Sequence, residues 1–342
     1  MLDKRKIFIL KAIIQDYITE ATPVGSSRLV EAHKLTASSA TIRNYMAELE
    51  IEGYLTQPHH SAGRMPTDKG YRFYVDALMS EEEHISPAEK RRIQKECDYR
   101  FSEIENLLLL TGKVLSHISG CAAIVQTPSS NQSTVKRIDL ILVDKNKILL
   151  IVLTNTSSII NRVIEFPFSV TQKELERTTN LLNTKLRGTP LEHINSNILL
   201  ADWTLELHQD LFLKTLELIA KIFKEESNGR LLIDGVSNLL EQPECSDLTR
   251  IKPVLQLLEE TDKISKIINS QPYHQKICVR IGHENRLKEL KEFSIITSPY
   301  YMGNAPLGNI GILGPTRMRY QKLIPLVEFI AEQISNKIDH MR

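Results

Sequence analysis

Apolar residues recur at helical spacing through the first fifty positions. Ile7, Leu10, Ile14 and Ile18 mark one face of a helix over 3–19, with Lys4, Lys6, Lys11 and Asp16 between them. Thr22-Pro23-Val24-Gly25-Ser26 breaks that pattern, and Ser26 or Ser27 is placed to cap a short second helix over 27–33 with Leu29 and Val30 inward. A tight connection at 34–37 leads to Ser38-Ser39, again hydroxyls in capping position. A third helix over 39–52 then ends at Gly53, which suits a C′ residue. On a helical wheel Ile42, Met46 and Leu49 stack on one face, while Ala40, Thr41, Arg43, Asn44 and Glu48 point away. Tyr54 to Gln57 has strand character, His59 to Arg64 has turn character with donors throughout, and Thr67 is placed to cap a helix reaching Met79.

Past a charged break at Glu81-Glu82-Glu83-His84, the pattern predicts one long helix over 87–112, with Ile93, Cys97, Phe101, Ile104 and Leu108 on one side. That helix reads equally as a lever between two domains or as a connector packed on a core. Strand signals follow at 122–125, 138–143, 148–154 and 159–166. The Asp144-Lys145-Asn146-Lys147 turn joins two of them as an antiparallel hairpin. A helix over 171–187 ends at Gly188-Thr189-Pro190, helical patterns dominate 206–269, and strand character returns at 277–281, 294–297 and 309–313 before a last helix over 318–338. Strands and helices interrupted by a mostly helical block predict an α+β domain carrying an insertion.

Composition narrows the class without identifying it. The chain of 342 residues is 42% hydrophobic and 25% charged, enough for two to three ordinary globular domains. Lysine and arginine total 43 against 42 acidic residues, so attraction to nucleic acid has to be built locally. Between Gln57 and Arg72 the cations Arg64, Lys69 and Arg72 face only Asp68, which concentrates positive charge after the third helix. No stretch approaches a membrane span, the basic start lacks a secretory apolar region, and Cys97, Cys121, Cys245 and Cys278 are scattered. The expectation is a reduced, cytoplasmic protein without membrane attachment.

Helix, short helix, turn and helix, with polar groups at the outer N-terminal face of the third, is what a helix-turn-helix needs. Periodicity alone fits a plain three-helix bundle as well. The hairpin that follows tips the reading toward a wing, with Arg64 at its tip beside Gly63, small enough to let backbone approach a phosphate. Thr41 and Asn44 can donate to and accept from base edges, Arg43 can fork onto guanine or phosphate, and the helix start offers free N–H groups. The residues expected to meet DNA are Ser38, Ser39, Thr41, Arg43, Asn44, His59, Arg64 and Lys69. Adjacent His59 and His60 point to opposite sides of a strand, with no third ligand near, so no metal is expected. Gly303, Gly308, Gly311 and Gly314 lack the phosphate-loop pattern, and no nucleophile elbow or paired carboxylates occur. Neither an enzyme nor a cofactor is expected.

The run Ser38-Ser39-Ala40-Thr41-Ile42-Arg43-Asn44, then Gly53-Tyr54-Leu55, Gln57-Pro58-His59, Ser61-Ala62-Gly63-Arg64 and Pro66-Thr67-Asp68-Lys69-Gly70-Tyr71-Arg72, resembles the HrcA family of heat-inducible transcription repressors. The resemblance resumes at Asn238-Leu239-Leu240-Glu241-Gln242-Pro243-Glu244 and at Gly311-Ile312-Leu313-Gly314-Pro315-Thr316-Arg317-Met318. Tyr45 stands where the family more usually has an acidic residue, and His60 where a threonine is common. The resemblance implies a winged helix-turn-helix domain over 1–80, a linker helix over 81–112, and a GAF-like α+β domain in two halves, 113–188 and 271–342. Between the halves, a mostly helical dimerising domain would be inserted over 189–270. It further implies a homodimer that binds the CIRCE inverted-repeat operator of chaperone operons such as groE and dnaK. On that reading the dimer represses these operons at normal temperature and is kept active by the chaperonin GroEL. The alternative is a regulator whose GAF-like domain senses a small molecule, and a third option is an assembly partner with a vestigial wing.

Overall fold

The computed structural model describes residues 2–59, 62–79, 85–96, 104–128, 134–155, 159–194, 209–226, 229–269 and 276–341. Mixed α+β structure divides into two compact units, one formed by 1–127 with 231–342 and the other by 128–230.

The first unit begins with α1 (Lys4–Glu20), α2 (Ser26–Ala32) and α3 (Ser39–Ile51), followed by a two-stranded antiparallel ribbon of β1 (Leu55–Thr56) and β2 (Met65–Pro66). Asp3 caps α1 by accepting from the Lys6 N–H at 2.8 Å, and the buried face carries Ile9, Leu10, Ile13, Ile14 and Ile18. Capping of α2 departs from expectation. Gly25 is its N-cap with no side-chain bond, and Ser26 is buried inside the helix. Thr67 does cap α4 (Asp68–Phe73), accepting from the Gly70 N–H at 3.2 Å, and a π turn over Tyr74–Leu78 continues it.

Where one helix over 87–112 was expected, the described residues show α5 (Pro87–Glu96) and α6 (Ile104–Ser119). Cys97, Phe101 and the charged break at 81–84 lie outside the described residues. A five-stranded antiparallel sheet forms the body of this unit. Its strands are β3 (Ala122–Gln126), β7 (Leu231–Asp234), β8 (Cys278–Ile281), β9 (Phe293–Met302) and β10 (Ala305–Pro315), in the order β7-β3-β10-β9-β8. Two-residue periodicity sorts its side chains. Ala123, Val125, Ile296, Ile310 and Ile312 join a core with α6 and the closing helix, whereas Ala122, Ile124, Ile295 and Leu313 pack under the helices of 248–269. The closing helix runs Tyr320–His340 with Arg319 as its N-cap.

The second unit holds a separate antiparallel meander, β4 (Val135–Asp144), β5 (Lys147–Thr154) and β6 (Ile159–Glu165). It is covered on one face by α7 (Gln172–Leu186) and joined in its core by α8 (Gln209–Glu226). Thr171 and Glu174 form a capping box at the start of α7. Asn183 ties that helix to β4, accepting from the Ile138 N–H at 2.8 Å and donating to its carbonyl at 2.6 Å.

These units correct the expected boundaries. The stretch 113–188 does not form half of one domain, because β3 pairs within the five-stranded sheet while β4 to β6 form their own. Nor does the segment 231–269 belong with the insertion, since β7 pairs with β3 and Ile251, Val254 and Leu257 pack on that sheet. Among the described residues, no helix is long and apolar enough to cross a membrane.

Candidate nucleic-acid interface

Helix α3 stands on the first unit with its apolar stripe inward. Ile42, Met46 and Leu49 are buried, and Ala40, Thr41, Arg43 and Asn44 on the opposite side are exposed. Ser38 caps the helix, its hydroxyl accepting from the Thr41 N–H at 3.2 Å and sharing a 2.9 Å hydrogen bond with the Thr41 hydroxyl. Ser38 and Thr41 therefore hold one another at the helix start, where a positive dipole end favours an anion. Ser39 is half-buried in the first turn. Tyr45 packs at the edge of the core, with its hydroxyl 3.4 Å from Arg5 Nη1, so it turns away from the exposed face.

The basic residues after α3 are arranged differently from the expectation. Arg64 does not reach out from the ribbon. Its guanidinium turns back onto α3, with Nε and Nη2 each 2.8 Å from Glu50 Oε2, and its side chain is 14% exposed. Its backbone pairs in both directions with Val24, N to O at 2.9 Å each way. Gly63 serves that same junction, because a Cβ there would sit 2.4 Å from the Val24 carbonyl carbon. The glycine lets backbone approach backbone at this point, in place of the expected approach to a phosphate. Lys69 is exposed but committed. Its ammonium donates to the Glu52 carbonyl at 2.8 Å and sits 4.4 Å from the centroid of the Tyr54 ring, capping the end of α3. Arg72 points to the five-stranded body, where it meets Glu284. Of the residues counted toward a positive ribbon, two are therefore tied to α3 and one to the body.

His59 is exposed, and its carbonyl accepts from the Ala62 N–H at 2.8 Å in the loop between β1 and β2. His60 lies outside the described residues. Sequence reasoning missed the acidic residues at the C-terminal end of α3. Glu48 and Glu52 both pair with Lys6 at 2.7 Å, raising the lysine's affinity for its proton, and Glu50 holds Arg64. The alternation of Glu48, Glu50 and Glu52 was legible, but its partners lie on other elements. The side chains of Arg43 and Asn44 form no hydrogen bond or ion pair among the described residues, which leaves them as polar groups that α3 presents outward.

Residues 105–324 match the family model described as the HrcA protein C-terminal domain. A curated relative from Carboxydothermus hydrogenoformans, named heat-inducible transcription repressor HrcA, is 39% identical over 339 residues, covering 99% of this chain and 98% of its own. Relatives of the same name from Acetivibrio thermocellus and Halalkalibacterium halodurans are each 37% identical, covering 99% and 98% of this chain and 97% of their own. A solved structure described as a hypothetical protein aligns over all of both chains with a TM-score of 0.68 at 26% identity. Both the full-length likeness and the matched domain lead to one assignment: the chain belongs to the HrcA family of heat-inducible transcription repressors.

Proposed function

We propose that residues 1–79 act as a winged helix-turn-helix that lays α3 in the major groove of an inverted-repeat operator. The carrying observation is the outward row of Thr41, Arg43 and Asn44 above a buried apolar stripe, with Arg43 and Asn44 uncommitted. Ser38 and Ser39 set the helix start against a phosphate, and among the described residues of the ribbon loop His59 is the group left to touch backbone. Arg64 and Lys69 support α3 from behind and keep the ribbon in place. The five-stranded unit serves as the GAF-like body.

The insertion between its strands, 128–230, is the dimerising unit, and its meander carries the surface for it. Ile141, Val143, Ile159 and Val163 are 48%, 58%, 63% and 64% exposed, and Leu149 and Ile151 lie between them on the same side. An apolar sheet face of this kind suits a second copy of the chain. Family resemblance adds the operator, CIRCE, upstream of chaperone genes such as groE and dnaK, and the chaperonin GroEL as the partner that keeps the repressor active. The curated relatives' shared name favours repression over ligand sensing.

The test is anisotropy titration of a CIRCE-type duplex against a scrambled one at several salt concentrations. A preference of about 10³ or more for the repeat is expected. Arg43→Ala should lower that preference by ~1–3 kcal/mol. Equal, steeply salt-dependent binding to both duplexes would exclude sequence-specific repression by this module.

A further inference from the structure

Two pairs join α4 to the turn at Gly282–Glu284 of the body, a hydrogen-bonded Asp68–His283 contact and an Arg72–Glu284 ion pair. Asp68 Oδ2 accepts from the His283 N–H at 2.8 Å and lies 2.7 Å from His283 Nδ1. One helical turn further on, Arg72 Nε donates to Glu284 Oε1 at 2.7 Å and Nη2 to the Val279 carbonyl at 2.6 Å. The same Nη2 also bonds Glu284 Oε2, and Nη1 bonds Asp76 at 3.2 Å. The order is carboxylate then guanidinium on α4 and imidazole then carboxylate on the turn. Sliding α4 by one turn would set Asp68 against Glu284, so the pairs fix register as well as contact.

The turn is built to receive them. Gly282 has φ +51°, and a Cβ there would fall 2.2 Å from Asp68 Oδ2, so any side chain would displace the carboxylate. Asn285, buried beneath, donates to the carbonyls of Gly282, Leu290 and Phe293, and Glu284 accepts from the Ile281 N–H at 2.8 Å. Two further attachments lie elsewhere on the same joint. The Tyr74 hydroxyl donates to Gln321 at 2.7 Å. Arg317, held by Glu244, donates to the Ile18 carbonyl at the end of α1 at 2.6 Å. Three separated attachments are the minimum that fixes the orientation of one rigid body on another.

We propose that Asp68, Arg72 and Arg317 are positioning residues for DNA binding: they set the direction in which α3 projects from the body, and through it the half-site spacing that a dimer accepts. This rests on the reading of the chain as a dimeric operator-binding repressor. None of the three lies on the outward row of α3, so their effect is on the geometry of two helices acting together and leaves the contacts of one unchanged.

The experiment measures binding of the full-length protein to an isolated half-site duplex and to inverted repeats whose centres are moved apart by one to five base pairs. The proteins are wild type, Arg72→Glu, Glu284→Arg, the double charge exchange, and the isosteric Glu284→Gln. Wild type should lose affinity steeply with added spacing. Each charge reversal should lower operator affinity about tenfold at the natural spacing and flatten the spacing profile, with half-site affinity held within about twofold. The double exchange, which restores the opposite charges but not the Ile281 and Val279 backbone bonds, should recover the steep profile in part, and Glu284→Gln should flatten it partway. The proposal is overturned if the variants keep the wild-type spacing profile, if half-site and operator binding fall together in a folded Glu284→Gln protein, or if the double exchange restores nothing. Wild type that fails to prefer the repeat over a scrambled duplex would instead overturn the operator-binding reading itself.

Discussion

Replacing Arg64 by alanine separates a strut from a phosphate contact, because the two roles change different quantities. Arg64 makes two charge-assisted hydrogen bonds of 2.8 Å to one Glu50 oxygen, with side chains 14% and 33% exposed. Exposed pairs are worth ~0.2–1 kcal/mol, and breaking a fully buried one costs ~3–5 kcal/mol. Water reaches a third of Glu50, so the carboxylate left behind is partly solvated, and the cost falls between, at about 1–2 kcal/mol. For a chain of this size that lowers the melting temperature by a few degrees, on the order of 2–4 °C per kcal/mol. Glu50→Ala should cost a similar amount, and the double variant little more than either, giving a coupling of about 1–2 kcal/mol. A strut that never touches the duplex leaves the salt dependence of operator binding unchanged, whereas one lost phosphate contact lowers its logarithmic slope by ~0.9. Calorimetry of the four proteins, with anisotropy titrations from about 50 to 200 mM salt, reads both quantities. A slope lowered by about 0.9 at unchanged melting temperature would refute the reasoning, since Arg64 would then be free to meet DNA.

Three further outcomes are expected. Val163→Asp places a charge on the most exposed apolar residue of the β6 face and should weaken self-association at least tenfold; sedimentation equilibrium showing an unchanged dimer would remove that face from the interface. Burial pushes the Cys121 thiol up to about 12 and the Cys245 thiol up to about 11, so native alkylation mapped by mass spectrometry should mark half-buried Cys278 well before either. Equal labelling of Cys121 and Cys278 would contradict the packing around Cys121. Burial pushes the Glu284 carboxyl up, but the Arg72 guanidinium and the Ile281 N–H pull it further down, leaving it below the usual carboxylate range. Because the folded value is depressed, its stabilisation is complete above the unfolded value of about 4.3 and fades as pH falls through the folded one. The stability difference between wild type and Glu284→Gln should thus be constant above about pH 5.5 and shrink below about 4; a difference that grows on acidification would reverse the sign.

What the sequence made legible was local. The inward stripe of α3, the Ser38 and Thr67 caps and the hairpin at 144–147 follow from spacing within a few residues, and the structure has each of them. What it concealed was long range. Arg72 and Glu284 stand 212 positions apart, and no pattern in either neighbourhood names the other. The misplaced boundary has a more particular cause. Ile148-Leu149-Leu150-Ile151-Val152-Leu153 is a continuous apolar run, which reads as a strand covered on both faces. In the structure only Ile148, Leu150 and Val152 are fully buried, and the alternate residues are half-exposed on the open side of the meander. Alternation identifies a strand's two faces but not the sheet it joins, so strands of two separate sheets read alike along the chain. The half-exposed row is also what marks the surface proposed for the second copy.

The same economy governs charge in the module proposed to face DNA. Its third helix carries Glu48 and Glu50 and ends at the C-cap Glu52, and each meets a cation: Lys6 across Glu48 and Glu52, Arg64 on Glu50, Lys69 on the Glu52 carbonyl. Those cations stiffen α3 and anchor the ribbon, and they are thereby withdrawn from the nonspecific attraction that phosphates exert on any basic surface. Arg43 and Asn44 remain, on the one face where a base edge would lie. A chain with 43 basic and 42 acidic residues has little charge to hold it on random sequence. On the proposed dimeric reading, discrimination depends on a few directed contacts made twice, once by each protomer, and on holding the two helices at the right separation. Affinity of that kind is more sensitive to the orientation of α3 than to the number of lysines around it. The joint between α4 and the body is therefore expected to matter to operator choice as much as the outward row does.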